Sequence, residues 1–351
     1  MRAFNLNGVA RSVLAALLLL LSTTHVYAAE GDVDHEFELT IDDTIIDLVG
    51  DMTYHTFAFN GQVPGPLIHV KEGERIRVNV TNFTTLTHTI HWHGMIQRGS
   101  WQSDGVPDKT QKPIKPGDTF TYEFVAEPSG THWYHCHVNV NEHVAIRGMW
   151  GAFIVEPKEP TEIEQKVTKD YVLMLSSWAS KWAHSPGEGG VPGDVFDYFT
   201  INGKAFPESQ AIRVEEGDVV RLRLIGAGEE VHSVHIHGHV FDIAFKDGHA
   251  LPHPIKADTV LMGPGERYDL ILYADNPGRW MIHDHVDTHT MNADRPDGGI
   301  MTVIEYREID HDDEYYHWGH KEFQADFYFE EALQKPHGMH ETSIHRGEPA
   351  L

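Results

Sequence analysis

The sequence predicts an all-β protein: two Greek-key β-sandwiches followed by an acidic C-terminal tail. Three observations predict it. Short runs of alternating apolar and polar residues, such as "RIRVNV", "TFTYEF", "VVRLRL" and "YDLILY", recur between clusters of Gly, Pro and Asp, the period expected of half-buried strands. Long helical periodicity is missing before the tail. The chain also repeats itself. "FNGQVPGPLIHVKEGERIRVNV" (Phe59 to Val80) matches "INGKAFPESQAIRVEEGDVVRLRL" (Ile201 to Leu224), and "HTIHWHG" (His88 to Gly94) matches "HSVHIHG" (His232 to Gly238). Pro116-Gly117 precedes His135 by the interval at which Pro264-Gly265 precedes His283. Matches in one order mean two copies of one domain, and short strands with frequent turns mean a sandwich.

The elements follow in order. Residues 1–28 read as a signal peptide: Arg2 and Arg11 are basic, Val13 to Leu21 is apolar but too short to span a bilayer, and "VYA" ends at Ala28 as a small-residue cleavage site. No Arg-Arg pair precedes the apolar run, so general export to the periplasm or the medium is expected. Domain 1 spans 29–158 and domain 2 spans 159–306, divided within the charged, proline-containing "EPKEPTEIEQ". The tail, 307–351, is acidic, carries histidines and is poor in strand signal. A short helix is expected over Glu322 to Lys335, with the tail serving as a surface wrap or a subunit contact.

Composition narrows the function. The formal charge of the 351 residues is -26, which argues against nucleic acid and anionic membranes as partners and suits neutral or cationic ligands. No apolar run after the leader is long enough for a membrane span. Histidine appears 27 times, more than packing requires, which points to metal. Cys136 is the single cysteine. In an exported chain it cannot form an internal bridge, so it is a core thiol, an intermolecular partner or a ligand.

Strand parity chooses among these. Side chains alternate across a strand. In "HCH", His135 and His137 face one way and Cys136 the other. In "HTIHWH", His91 and His93 share a face, and His88, three residues earlier, takes the opposite one in a regular strand. Domain 1 thus gathers His91, His93, His135 and His137 on one side, and His88 and Cys136 inside the sandwich. His143 and Met149 follow and close over the second group. Two imidazoles, a thiolate and a weak thioether form the donor set of a blue copper site, with Met149 as the axial member and Met95 and Ile146 as its nearby competitors. An inert buried thiol does not explain the parity.

Domain 2 carries His235 and His237, then His283 and His285, with Asp284 where Cys136 stands. Lacking a thiolate, it holds no blue copper, and His232 and His289 read as structural remnants. The eight paired histidines are too many for one ion and suit three coppers, one with two ligands and two with three each.

Nearly the whole mature chain resembles a two-domain multicopper oxidase of the laccase-like group, in the subgroup with type 1 (blue) copper in the N-terminal domain. "HWHG", "HCH", "HIHG" and "HDH" carry the resemblance. It implies cupredoxin-like sandwiches and four coppers per protomer. His91 and His235 then hold the type 2 copper; His93, His135, His137, His237, His283 and His285 hold the type 3 pair. It implies single electrons taken from a phenolic or similar small donor, dioxygen reduced to water, and a homotrimer with trinuclear clusters between subunits. Asp104, in "WQSDGVP", matches a family position near the type 2 copper and is a candidate proton relay. Asp287, just after "HDH", is a second candidate. For both the competing reading is a plain turn carboxylate. The intervals from Cys136 to His143 and on to Met149 are longer than in three-domain laccases.

Three other readings compete. A copper nitrite reductase shares the two-domain plan but lacks a full type 3 set, which His137, His237 and His285 complete here. An oxidase of cuprous, ferrous or manganous ions suits the acidic charge, but there is no methionine-rich insert, and Glu142 beside His143 reads as an ordinary surface acid. A copper storage protein needs ligands, but not a thiolate joined through the backbone to two cluster histidines.

Overall fold

The structure, a computed structural model, describes residues 32–184, 195–309, 330–335, 337–341 and 348–349. The expected signal peptide lies outside the described residues, as does the tail from 310 to 329.

Four β-sheets make up the described fold. The first sandwich pairs the sheet of strands Met52–Phe59, His35–Val49, Arg75–Asn82 and Thr119–Val125 with the sheet of strands Gly65–Lys71, Trp150–Glu156, Gly130–Cys136 and Ile90–His93. The second sandwich pairs a sheet centred on Val219–Gly226 and Lys169–Trp178 with one of strands Ile212–Val214, Met301–Tyr306, Arg279–Asp284, His232–Ile236 and Thr259–Met262. The equivalent strands occupy equivalent positions, as the internal repeat requires.

Alternation gives each sandwich its core. In Arg75–Asn82, Ile76, Val78 and Val80 are fully buried while Arg75, Arg77 and Asn79 face outward. Trp92, Tyr122, Phe124, Tyr134 and Phe153 fill the first core with tilted and edge-on ring contacts. Leu222, Leu224, Val234, Ile236, Leu270 and Ile304 belong to the second.

"VVRLRL" departs from the half-exposed strand that its alternation suggests. Val219–Gly226 is buried on both faces, and Arg221 and Arg223 are 3% and 1% exposed. The arginine face packs at the junction of the two sandwiches. Arg223 donates to Asp170, to Glu156 and to Thr131 Oγ1 of domain 1; Arg221 pairs with Asp269 and Glu164. Paired carboxylates make burial of these guanidinium groups tolerable.

The described tail packs on domain 1 and, through its helix, on strand Lys169–Trp178 of domain 2. A helix over Glu330–Gln334, inside the range expected to be helical, is followed by strand Gly338–His340, which adds antiparallel to Gly65–Lys71. Glu348–Pro349 pairs with Thr44 and Ile45. The strand was not visible in local composition because the edge of a neighbouring sheet supplies its hydrogen bonds. No helix among the described residues is long and apolar enough to cross a membrane.

Candidate metal centres

The antiparallel register of Ile90–His93 with Gly130–Cys136 sets Ile90 opposite Cys136 and His91 opposite His135. His88, two residues before Ile90 and bridged to Ile114, therefore shares the face of Cys136. Its Nδ1 lies 3.6 Å from Cys136 Sγ. His143 ends a one-turn helix, Val140–His143, and its Nδ1 lies 3.4 Å from the same sulfur. All three side chains are fully buried. Met149 is buried too, and its backbone is tied to both neighbours: its N–H donates to His143 O, and its carbonyl accepts from Cys136 N–H. Met95 bonds instead to Trp92 O.

These separations fit a metal ion. Bonds of about 2.0 Å to nitrogen and about 2.3 Å to sulfur at near-tetrahedral angles place donor atoms roughly 3.5 Å apart. The outer nitrogens are held differently: His88 Nε2 lies 2.8 Å from Thr84 Oγ1, while His143 Nε2 is buried without a partner. Phe57 packs edge-on against both rings. Burial raises the Cys136 thiol to about 11, with backbone hydrogen bonds pulling the other way. Burial, and then the Arg147 guanidinium, lowers His143 to about 4. Burial, and then the neighbouring His143, likewise holds His88 well below the usual histidine range, so both imidazoles are neutral donors at neutral pH.

Glu142 is not a surface acid. It is fully buried, lies 3.6 Å from the equally buried Arg147 Nε, and accepts from Asn139 Nδ2. Arg147 in turn donates to His55 O and Trp182 O. The pair braces the loop carrying His143 and Met149.

The opposite face of the same strands gathers the first histidine quartet. His91 lies 5.6, 5.3 and 5.4 Å, ring to ring, from His93, His135 and His137. His137 sits just past the end of its strand. The second quartet repeats this: His235 lies 4.8, 5.7 and 5.6 Å from His237, His283 and His285. Hydrogen bonds orient the rings alike in both halves. His91 Nδ1–H donates to Asp104 O and His235 Nδ1–H to Asp258 O, each at 2.8 Å. His135 Nδ1–H donates to Cys136 O and His283 Nδ1–H to Asp284 O, also at 2.8 Å. Each bond leaves Nε2 as the bare donor, as second-shell bonds to metal-bound imidazoles do.

Asp104 therefore meets His91 first through its backbone carbonyl; its carboxylate is 3.4 Å from the same nitrogen. Asp258, its counterpart, went unnoticed in the sequence, although "DGV" and "DTV" after the two HxH pairs offered the signal. Asp287 opens a 3-10 turn, Asp287–Thr290, and is exposed; its carbonyl accepts from Thr290 Oγ1. The structure does not bring its carboxylate to a histidine of the quartet among the described residues.

The glycine after each HxH pair is dictated by packing. Gly94 has φ +99° and Gly238 φ +68°. A Cβ on Gly94 would run into the His132 ring and stand 2.7 Å from Arg267 Nη2; one on Gly238 would run into the Trp280 ring.

None of the ring contacts among the described residues joins the two quartets. His93 packs instead near Gly265 and Arg267 of domain 2; burial first, then the Arg267 charge, holds it at about 3. His237 and His285 are exposed.

At the place of Cys136, domain 2 holds a closed cluster. His232 and His289 each present Nδ1 2.8 Å from Asp284 Oδ2, and the backbone N–H groups of Ser233 and Val286 donate to Oδ1.

Two cupredoxin-like sandwiches, one with a buried His–Cys–His set and both with matched histidine quartets, define a copper protein. The chain belongs to the multicopper oxidase family: one multicopper oxidase family model matches residues 40–160 and another matches 176–293. It is similar to Laccase-15 of Oryza sativa subsp. japonica, at 32% identity over 76% of the chain and 46% of that protein; it spans about half the length of the curated relatives it matches. Its fold matches the crystal structure of the blue copper oxidase from Nitrosomonas europaea (TM-score 0.88, 68% identity, 90% of this chain and 99% of that one). It also matches the multicopper oxidase mgLAC (TM-score 0.87, 52% identity, 90% and 99%).

Proposed function

We propose that the protein takes single electrons from a small phenolic or similar donor and reduces dioxygen to water. His88, Cys136 and His143, with Met149 as the axial member, hold a type 1 copper. His91 and His235 hold a type 2 copper, and His93, His135, His137, His237, His283 and His285 hold a type 3 pair, four coppers per protomer. Copper, when bound, supplies the one-electron and dioxygen chemistry.

The observation that carries this reading is Cys136 itself. Its side chain points to His88 and His143, while its backbone neighbours, His135 and His137, point to the other face. A covalent path of a few bonds therefore joins the two donor sets. A storage protein has no use for such a path. The full quartets, with His137, His237 and His285, favour oxygen over nitrite as acceptor. The backbone carbonyls of Asp104, Asp258, Cys136 and Asp284 fix the ring orientations, and the Asp104 carboxylate is placed to move a proton at the His91 edge.

Metal-ion oxidation stands as a second reading on the charge of -26, although Glu142 is already paired and buried and offers such an ion no ligand. Because no ring contact joins the two quartets among the described residues, we infer a homotrimer with clusters between subunits, exported to the periplasm or the medium. Oxygen uptake with a phenolic donor, ferrous and cuprous ions as rival donors, and nitrite as rival acceptor tests the reading. Nitrite reduction without oxygen uptake would overturn it.

A further inference from the structure

His69 is built like a metal ligand, far from the family motifs. It lies on strand Gly65–Lys71 and is 3% exposed. Its Nε2–H donates to Glu156 Oε1 at 2.9 Å, and Arg223 Nη2 donates to the same oxygen. Its Nδ1 is buried with no hydrogen-bond partner. A carboxylate that fixes the tautomer and leaves the other nitrogen bare is the usual arrangement behind a metal-bound imidazole. The quartet histidines with carbonyl partners show the same division of labour.

The tail brings two more imidazoles to this ring. Strand Gly338–His340 pairs with Gly65–Lys71 so that Gly338 lies opposite His69 and His340 opposite Leu67. Directly opposed residues share a face, and so do residues two apart. His340 is therefore on the face of His69, and Gly338 leaves the space between them unfilled. The His337 ring is 4.8 Å from that of His69, and the His340 ring 6.4 Å. In the blue-copper set the two rings are 4.7 Å apart, and in the first quartet His135 and His137 are 6.0 Å apart. A cavity of about 380 Å³, lined by His69, Glu156, Asp170, Arg221, Arg223 and His337, opens beside them.

We propose that His69 Nδ1, His337 and His340 form a further site for a divalent transition metal, which fastens the tail over the junction of the two sandwiches. Three imidazole ligands suit Zn²⁺ or Cu²⁺ and not Mg²⁺ or Ca²⁺. Both tail rings are only partly buried, and binding one ion requires them to turn their nitrogens toward His69 Nδ1.

Zn²⁺ titration by calorimetry of the untagged, copper-loaded protein tests this, with any Cu²⁺ that metal analysis finds in excess of the double variant's counted together with the Zn²⁺. The wild type is expected to take one more Zn²⁺ per chain than the His337→Ala/His340→Ala double variant, at unchanged blue absorbance in both. His69→Gln keeps a donor to Glu156 but lacks the bare nitrogen, and is expected to weaken that Zn²⁺ at least tenfold. Equal Zn²⁺ stoichiometry in wild type and double variant would overturn the site. So would full-affinity binding in His69→Gln.

Discussion

Asp284 Oδ2 stands 2.8 Å from His232 Nδ1, whereas Cys136 Sγ stands 3.6 Å from His88 Nδ1 at the equivalent place in domain 1. The first distance is a hydrogen bond; the second leaves room for an ion. One repeat unit thus closes the same two-histidine site in two ways, with a carboxylate or with a metal. Burial alone would raise the Asp284 pKa, but the bonds from His232 and His289 and the backbone donors outweigh it and hold the carboxyl well below its usual range. The flanking residues are His283 and His285, so this cluster sets the backbone of the second quartet.

Asp284→Ala strands two buried imidazole donors and two part-buried backbone donors and is expected to cost at least about 3 kcal/mol in urea unfolding, since each lost buried partner costs about 1–3 kcal/mol. Asp284→Asn keeps Oδ1 for the backbone donors, and its amide donates to both Nδ1 atoms once the rings exchange tautomers. Its cost is expected to be less than half as large. An Asn variant as damaged as the Ala variant would show that the hydrogen bonds are not what holds this cluster.

Cys136→Ser replaces a soft thiolate with a hard, poorly ionised hydroxyl. The intense blue absorption and oxygen uptake are expected to vanish together, the second by at least a hundredfold. Copper bound by the quartets, measured by metal analysis, is expected to stay. A serine variant that remains blue would sink the assignment of Cys136.

The histidine pairs and Cys136 were legible in the sequence because a strand's period of two converts spacing directly into facing. His88 was legible by the same parity, because the segment between it and His91 stays nearly extended. Glu142 and Arg223 were not legible. A charged residue reads as surface unless its partner is known, and the partners, Arg147 and Asp170, are fixed by a loop and by a domain junction. The tail strand Gly338–His340 was hidden for a related reason: its hydrogen bonds come from Gly65–Lys71, nearly the whole chain away.

His132 is fully buried at the domain junction, and burial, then the Arg267 charge, lowers it to about 3. An unfolded histidine titrates near 6.5. Between these values the unfolded chain binds the extra proton, so stability falls as pH drops from about 6.5 toward 3, by up to about 1.4 kcal/mol per pH unit for this one group. His93, at about 3, and His143, at about 4, act in the same direction. The urea midpoint of the copper-free protein is expected to fall steadily from pH 6.5 to 4.5, and His132→Gln to make the slope shallower. A midpoint that is flat or rises over this range would contradict neutral burial of these rings.

The final prediction concerns assembly. His91, His93, His135 and His137 form one half-site, and His235, His237, His283 and His285 another, yet no ring contact joins them within the described chain. His237 and His285 face solvent. The contact that joins domain 1 to domain 2 inside a chain, repeated head to tail between chains, closes into a ring when the rotation fits; three chains supply the six domains of such a ring. Each cluster then takes four ligands from one subunit and four from the next. His137→Ala and His285→Ala subunits are each expected to be inactive alone, because each removes one ligand from every cluster. Mixed by unfolding and refolding together, they are expected to recover oxygen uptake, since some interfaces pair an intact first half-site with an intact second one. Random mixing places such an interface at about one contact in four, so recovery of roughly a quarter of wild-type activity is expected. A fully active monomer in sedimentation, or mixed assemblies with no recovery, would rule out clusters shared between subunits.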